Sequence, residues 1–179
     1  GLYALQHRGQ ESAGIVSTDG RELHSHRAMG EVEEIFKPEI LNKLPGTAAI
    51  GHTGYSTAGD KALLNAQPIM IDCNKGKVSL GHNGNLTNAA EWRRKLEHKG
   101  SIFQTNSDTE VIVHLLARSQ ARHLGGALGD ALNQVEGAYS LVVLTTDELY
   151  AIREYANRVE PLNRDVRQLR LFTRQLPQR

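Results

Sequence analysis

The chain has 179 residues, 39% of them hydrophobic, which sets the expectation of one compact domain with a sizeable core. Lys and Arg number 21 and Asp and Glu 20, a formal charge of +1, so no global field recruits nucleic acid or an anionic membrane and partners have to be argued from sites. No apolar run approaches the roughly 18 residues of a membrane helix, no secretory start is present, the single cysteine excludes an internal disulfide, and the eight histidines lack metal-ligand spacing, so a cytoplasmic, metal-free segment is expected.

The opening GLYALQHRGQ carries Leu2 and Leu5 at helical spacing without a capping signal and reads as the middle of a helix. Strand patterns follow at about Ala13 to Ser17 and Glu22 to His26, with Asp19-Gly20 as the hairpin turn, and then at Thr47 to His52 and Lys77 to Gly81. Asn88 with Glu91 forms a capping-box pattern ahead of a helix that Gly100 stops, and Ser107 with Glu110 forms another ahead of Val111, Ile112, Leu115 and Leu116. A third helix is expected from Ala127 to Val135 with Gly137 as its stop. Tyr139 to Thr145 and Leu149 to Arg153 read as strands joined at Thr146-Asp147. From Asn163 onward the arginines at 164, 167, 170, 174 and 179 face the single acid Asp165. Residues 1–155 are therefore expected to form the domain and 156–179 an atypical, poorly ordered tail. Strands, then helices, then strands again predict helices packed on antiparallel sheets.

Three stretches carry candidate chemistry. In HNGN (His82 to Asn85) the Asn-Gly pair alone reads as a two-residue hairpin turn, but it also supplies a side-chain amide and a closely approachable backbone N–H, the ingredients of an anion site. In SDTE (Ser107 to Glu110) helix capping accounts for Ser107 and Glu110 and leaves the Asp108 carboxylate available for a cation. GHTGYSTAG (Gly51 to Gly59) leaves a strand for a polar loop that suits either a surface connection or ligand contacts. Cys73, internal in IDCNKGKV, reads as a turn cysteine.

In this order, LYALQHRGQESAG, GHTGYSTAG, NAQP, HNGNL, SDTEVIVHLLA and GAYSLVVLT closely resemble the N-terminal class II glutamine amidotransferase domain of the amidophosphoribosyltransferases, over roughly Gly1 to Arg153. The related glucosamine-6-phosphate synthase type reads YRGYDSAG, HTRWATHG and HNGIIEN, and HRGQESAG, YSTAG, NAQP and NGNL side with the purine enzymes. The resemblance implies an α+β fold, a four-layer αββα N-terminal-nucleophile (Ntn) hydrolase sandwich, here incomplete at both ends, and a homo-oligomeric parent. It implies a glutaminase that releases ammonia from glutamine for phosphoribosylamine formation in de novo purine synthesis. A mature N-terminal cysteine attacks the side-chain amide, with its own α-amine as general base.

Carried over residue by residue, the side-chain amide of Asn83 and the backbone N–H of Gly84 match the oxyanion hole. Asp108 matches the group that holds the α-amine of glutamine, Arg8 an arginine near the nucleophile, and His52, Tyr55, Ser56 and Thr57 the glutamine pocket. No cofactor is implied for this segment. Mg2+ belongs to the phosphoribosyltransferase half that accepts the ammonia, which has no counterpart in these residues.

Two departures qualify the carry-over. The nucleophilic cysteine lies upstream of the LYALQHRGQ helix in the family, so the segment as written is expected not to hydrolyse glutamine. The family also reads His-x-Arg-Tyr-Ser-Thr, its arginine gripping the α-carboxylate, where this chain has Gly54. A non-catalytic ligand- or partner-binding module and a non-functional truncated product are the alternatives these departures favour.

Overall fold

Period-two alternation places β-formers in two antiparallel sheets, and 3.6-residue periodicity places the helices outside them. A computed structural model describes residues 1–55 and 63–154 and the backbone of residues 170–175. In chain order the elements are α1 (Leu2–Leu5), a 3-10 turn (Gln6–Arg8), β1 (Ser12–Thr18), β2 (Leu23–Met29), α2 (Val32–Ile35), α3 (Pro38–Leu41) and β3 (Ala48–Gly54). A 3-10 turn (Leu63–Asn65) then leads to β4 (Ile69–Cys73), β5 (Gly76–Leu86), α4 (Ala89–His98), α5 (Thr109–Arg118), α6 (Leu124–Leu132), β6 (Gly137–Leu144), β7 (Glu148–Glu154) and β8 (Arg170–Gln175). One sheet has the order β2-β1-β3 and the other β4-β5-β6-β7-β8.

Three apolar clusters define four layers. Ala13, Val32 and Ile35 pack with Leu2, Ala28 and Phe36 between the short N-terminal helices and the smaller sheet. Val16, Leu23, Ile50 and Leu144 pack between the two sheets. The largest cluster joins Val78, Leu80, Leu141 and Val143 to the inner faces of α4, α5 and α6. Strand β6 shows the sorting directly, since Tyr139, Leu141 and Val143 enter the helical core and Val142 and Leu144 the core between sheets. The αββα sandwich expected from the resemblance is the observed architecture. On α5, Val111, Ile112 and Leu116 are wholly buried, and each such side chain stabilises the fold by about 1.5–3 kcal/mol.

Both expected hairpins form. β1 meets β2 around Asp19, whose carboxylate accepts the amides of Arg21 and Glu22 at 2.9 Å each, and β6 meets β7 around Thr145, whose Oγ1 accepts the Glu148 amide at 2.9 Å. Cys73 is the last residue of β4, at the edge of the turn into β5, where its Sγ accepts the Lys75 amide at 3.5 Å.

Several expectations are corrected. HNGN is no turn: β5 runs through it to Leu86, because β6 supplies partners for Asn83, Gly84, Asn85 and Leu86. Neither capping box forms. Asn88 spans to the segment before β6, donating to the Gln134 carbonyl and accepting the Glu136 amide at 3.0 Å each, and α5 starts with Asp108 rather than Ser107 at its cap. α6 runs from Leu124 to Leu132, three residues earlier at each end than periodicity suggested, and a Cβ at Gly125 would touch the Tyr150 ring and one at Gly126 the Ala121 side chain. Of the stretch expected to be a poorly ordered tail, the structure describes only the backbone of Arg170–Gln175, which pairs with β7 and covers an edge that would otherwise leave unpaired backbone groups.

Candidate functional site

Strand β4 pairs with β5 only as far as Leu80, whereas β6 follows β5 to its end. Among the described residues, no strand pairs with the other edge of the last six residues of β5. Two side chains close parts of it: Gln67 Oε1 accepts the His82 amide at 2.6 Å, and Asp108 Oδ2 accepts the Leu86 amide at 2.9 Å. Amides in a strand alternate sides, so the Gly84 N–H points to the same edge between these two capped positions. Alternation also puts Asn83 with Ser79 and Gly81 on the face opposite Val78 and Leu80, turned to the smaller sheet. Asn83 and Gly84 are both exposed.

Gly84 has no substitute at this point. Its φ is +151°, and a Cβ there would sit 2.3 Å from the Ala138 carbonyl oxygen and 2.6 Å from the Tyr139 Cα. The Asn-Gly pair serves backbone shape here, as a turn reading supposes, but in the middle of a strand ladder.

Asp108 reaches this edge from the start of α5. Its Oδ1 lies 3.4 Å from His82 Nδ1, and its side chain is 24% exposed. Burial raises its pKa, but His82 and the Leu86 and Thr109 amides outweigh that, so the carboxyl stays below its ordinary value of 3.8. The loop that delivers Asp108 is itself anchored. Glu110 accepts the amides of Gln104 and Thr105 at 2.8 Å each and the Thr105 hydroxyl at 2.7 Å, while Arg93 stacks 4.1 Å over Phe103 and donates to the Thr105 and Ser107 carbonyls. The Ser-x-x-Glu spacing thus builds the loop before the helix rather than the helix cap.

His52, Ile50 and Ala48 share the face of β3 turned to the larger sheet, and His52 Nε2 donates to the His82 carbonyl at 3.0 Å across the gap. Gly54 ends the same face opposite Ser12. The backbone of Gly9 presses on Thr53 and Gly54, which sets the Gln6–Arg8 turn over this end of β3 with Arg8 exposed. Gln6 holds the turn by donating to the Gly9 carbonyl at 2.8 Å and accepting the Val32 amide at 2.7 Å. The NAQP segment fills the inter-sheet gap next to Gly14, where any Cβ would meet the Gln67 carbonyl oxygen at 2.2 Å. Tyr55 is 67% exposed just past β3, and Ser56 and Thr57 lie outside the described residues. The structure thus gathers Asn83, Gly84, Asp108 and His52 around one end of β5. Gln67 and His82, to which the sequence reading gave no role, join them, and their only signal was membership of NAQP and HNGN. No cluster of three or more His, Cys, Asp and Glu that could hold a metal occurs among the described residues.

Burial holds the His52 imidazole below its ordinary value of 6.5, against a smaller opposing effect of its bond to His82. Burial lowers His114 likewise, partly offset by Glu110. The unfolded chain therefore binds more protons than the folded one just below pH 6.5, and stability falls as pH drops through that window. Asp108 adds to the loss further down, below its ordinary 3.8. The urea midpoint is expected to be lower at about pH 5 than at about pH 7.5, with a shallower slope in His52→Gln, which keeps a donor for the His82 carbonyl but cannot titrate. Equal slopes would remove His52 from this account.

Residues 52–168 match the glutamine amidotransferase domain family. The chain belongs to that family. Glutamine amidotransferase relatives include the chloroplastic amidophosphoribosyltransferase of Vigna aconitifolia, 48% identical over 157 residues, covering 88% of this chain and 32% of the relative. The amidophosphoribosyltransferase of Bacillus subtilis is 44% identical over 164 residues, 91% of this chain and 34% of the relative. The solved glutamine phosphoribosylpyrophosphate amidotransferase from B. subtilis, complexed with ADP and GMP, superimposes with a TM-score of 0.80 at 43% identity, over 86% of this chain and 33% of that one. The chain thus spans about a third of the length of the relatives it matches. The glutamine amidotransferase match includes β5, α5 and β6, the elements that carry the edge described above.

Proposed function

We propose that this segment is the glutaminase half of an amidophosphoribosyltransferase, which binds glutamine at the free end of β5 and releases ammonia for phosphoribosylamine formation in purine synthesis. The observation that carries the reading is the Gly84 N–H, aimed by strand alternation at an open edge between two amides already bonded to Gln67 and Asp108. A donor fixed in the backbone needs no reorganisation when negative charge develops beside it. Asn83 supplies the second donor to the tetrahedral oxyanion, and Asp108, ionised and partly exposed, takes the α-ammonium of glutamine. Arg8 and Tyr55 flank the pocket. This segment needs no cofactor on this reading, and Mg2+ belongs to the phosphoribosyltransferase half that accepts the ammonia. A cytoplasmic location and a homo-oligomeric parent belong to it, although the Vigna relative is named chloroplastic.

The test is ammonia release by the protein carrying this segment behind an N-terminal cysteine. Asn83→Ala is expected to lower kcat about 100- to 1,000-fold, the cost of one oxyanion donor, with KM little changed. A kcat within twofold of the parent would overturn the assignment. Gly54 favours a second reading, a module that binds without catalysis, and measurable ammonia release by the parent decides against it.

A further inference from the structure

His82 is 3% exposed, yet nothing in the oxyanion reading uses its imidazole. Nδ1 lies 2.9 Å from the Thr109 hydroxyl oxygen and 3.4 Å from Asp108 Oδ1, at the point where α5 meets β5. Nε2 is buried and has no hydrogen-bond partner among the described residues. A proton on Nε2 would be a buried donor without an acceptor, and Nδ1 would then present a bare lone pair to a carboxylate oxygen. With the proton on Nδ1 the ring donates toward the Thr109 and Asp108 oxygens, and the group left unpaired at Nε2 is an acceptor rather than an N–H donor. The same residue's main chain is tied on both sides, its amide to Gln67 and its carbonyl to His52, so the ring stands on a fixed stretch of strand.

We propose that His82 is a positioning residue, whose Nδ1–H tautomer locks Asp108 and the first turn of α5 against β5 and so presents the remaining lone pairs of that carboxylate to a cationic group of the ligand. This rests on the reading of Asp108 as the group that takes the α-ammonium of glutamine. His82 touches no reacting atom. It acts through Asp108, and its removal should affect only ligands that carry the ammonium.

Two calorimetric titrations of the 179-residue chain test this, one with glutamine and one with glutaramate, the same molecule without the α-amine. The parent should bind glutamine more tightly than glutaramate. His82→Leu should lose about tenfold or more in glutamine affinity, the scale of a charge-assisted hydrogen bond, with glutaramate within about twofold of the parent. His82→Asn, whose amide N–H falls near the position of Nδ1, should recover glutamine affinity to within about threefold. Equal weakening of both ligands, or no weakening of either, overturns the positioning role. A parent that does not favour glutamine overturns the reading of Asp108 itself, and the inference with it. Should the Leu variant not fold, nitrogen-15 NMR of the parent still decides, because a neutral His82 with its proton on Nε2 refutes the proposal.

Discussion

Gly84→Ala is expected to lower the unfolding free energy by about 2–5 kcal/mol, from the sum of backbone strain and overpacking. Two independent features drive the cost. At φ +151° an L side chain is strained whatever the space around it, and the space is already occupied by the Ala138 carbonyl oxygen and the Tyr139 main chain. Both neighbours are backbone atoms of β6 held in register with β5, so neither can step aside without breaking the ladder. Gly129→Ala is the contrasting case. It lies in α6 with nothing within 4 Å of a new Cβ, and should gain about 0.5–1 kcal/mol from helix propensity. Urea titration of the three proteins reads both signs. A Gly84→Ala variant within about 0.5 kcal/mol of the parent would be below the expected cost of a strained residue, and would show that the end of β5 yields to a side chain and cannot hold an amide in one fixed direction.

The distinction between strand and turn at Gly84 marks how far the sequence could be read. The layers were legible because alternation in β1 and β6 sends successive side chains to the cores on either side of each strand, and the apolar stripe of α5 joins the helical core. HNGN broke the alternation with small polar residues, and locally that pattern belongs to hairpins. Only its partner strand, more than fifty residues later in the chain, makes it a continuation of β5. The capping boxes failed for a similar reason. Asn88 and Glu110 have the residue types and spacing of caps, but each spends its side chain on a neighbouring segment, which no local pattern records. The order of the motifs brought out Asn83, Gly84 and Asp108 as candidates. Gln67 and His82 join the candidate site only through the bonds they make on the edge of β5.

Gly54→Arg should tighten glutamine binding about ten- to a hundredfold, the worth of a charge-assisted pair with the α-carboxylate. Gly54 is the last residue of β3, on the face that His52 turns to β5, so a side chain there projects into the end of the gap where Asn83 also faces. Its φ lies outside the left-handed region, and the backbone therefore accepts an L residue. The obstacle is the Ser12 hydroxyl, 2.5 Å from the new Cβ, and turning it away costs about 0.5–1.5 kcal/mol if Ser12 is driven off its rotamer. Adding Ser12→Ala removes that opposing cost and should widen the gain. Gly54→Lys should gain less than arginine, because an ammonium cannot meet both carboxylate oxygens in one plane, and Gly54→Gln, neutral and nearly as long, should gain nothing. Calorimetry on the four variants separates charge from shape. Arginine without a gain, in a protein whose melting temperature is unchanged, would mean that the end of β3 does not face the ligand carboxylate, and the pocket would have to be drawn around β5 and α5 alone.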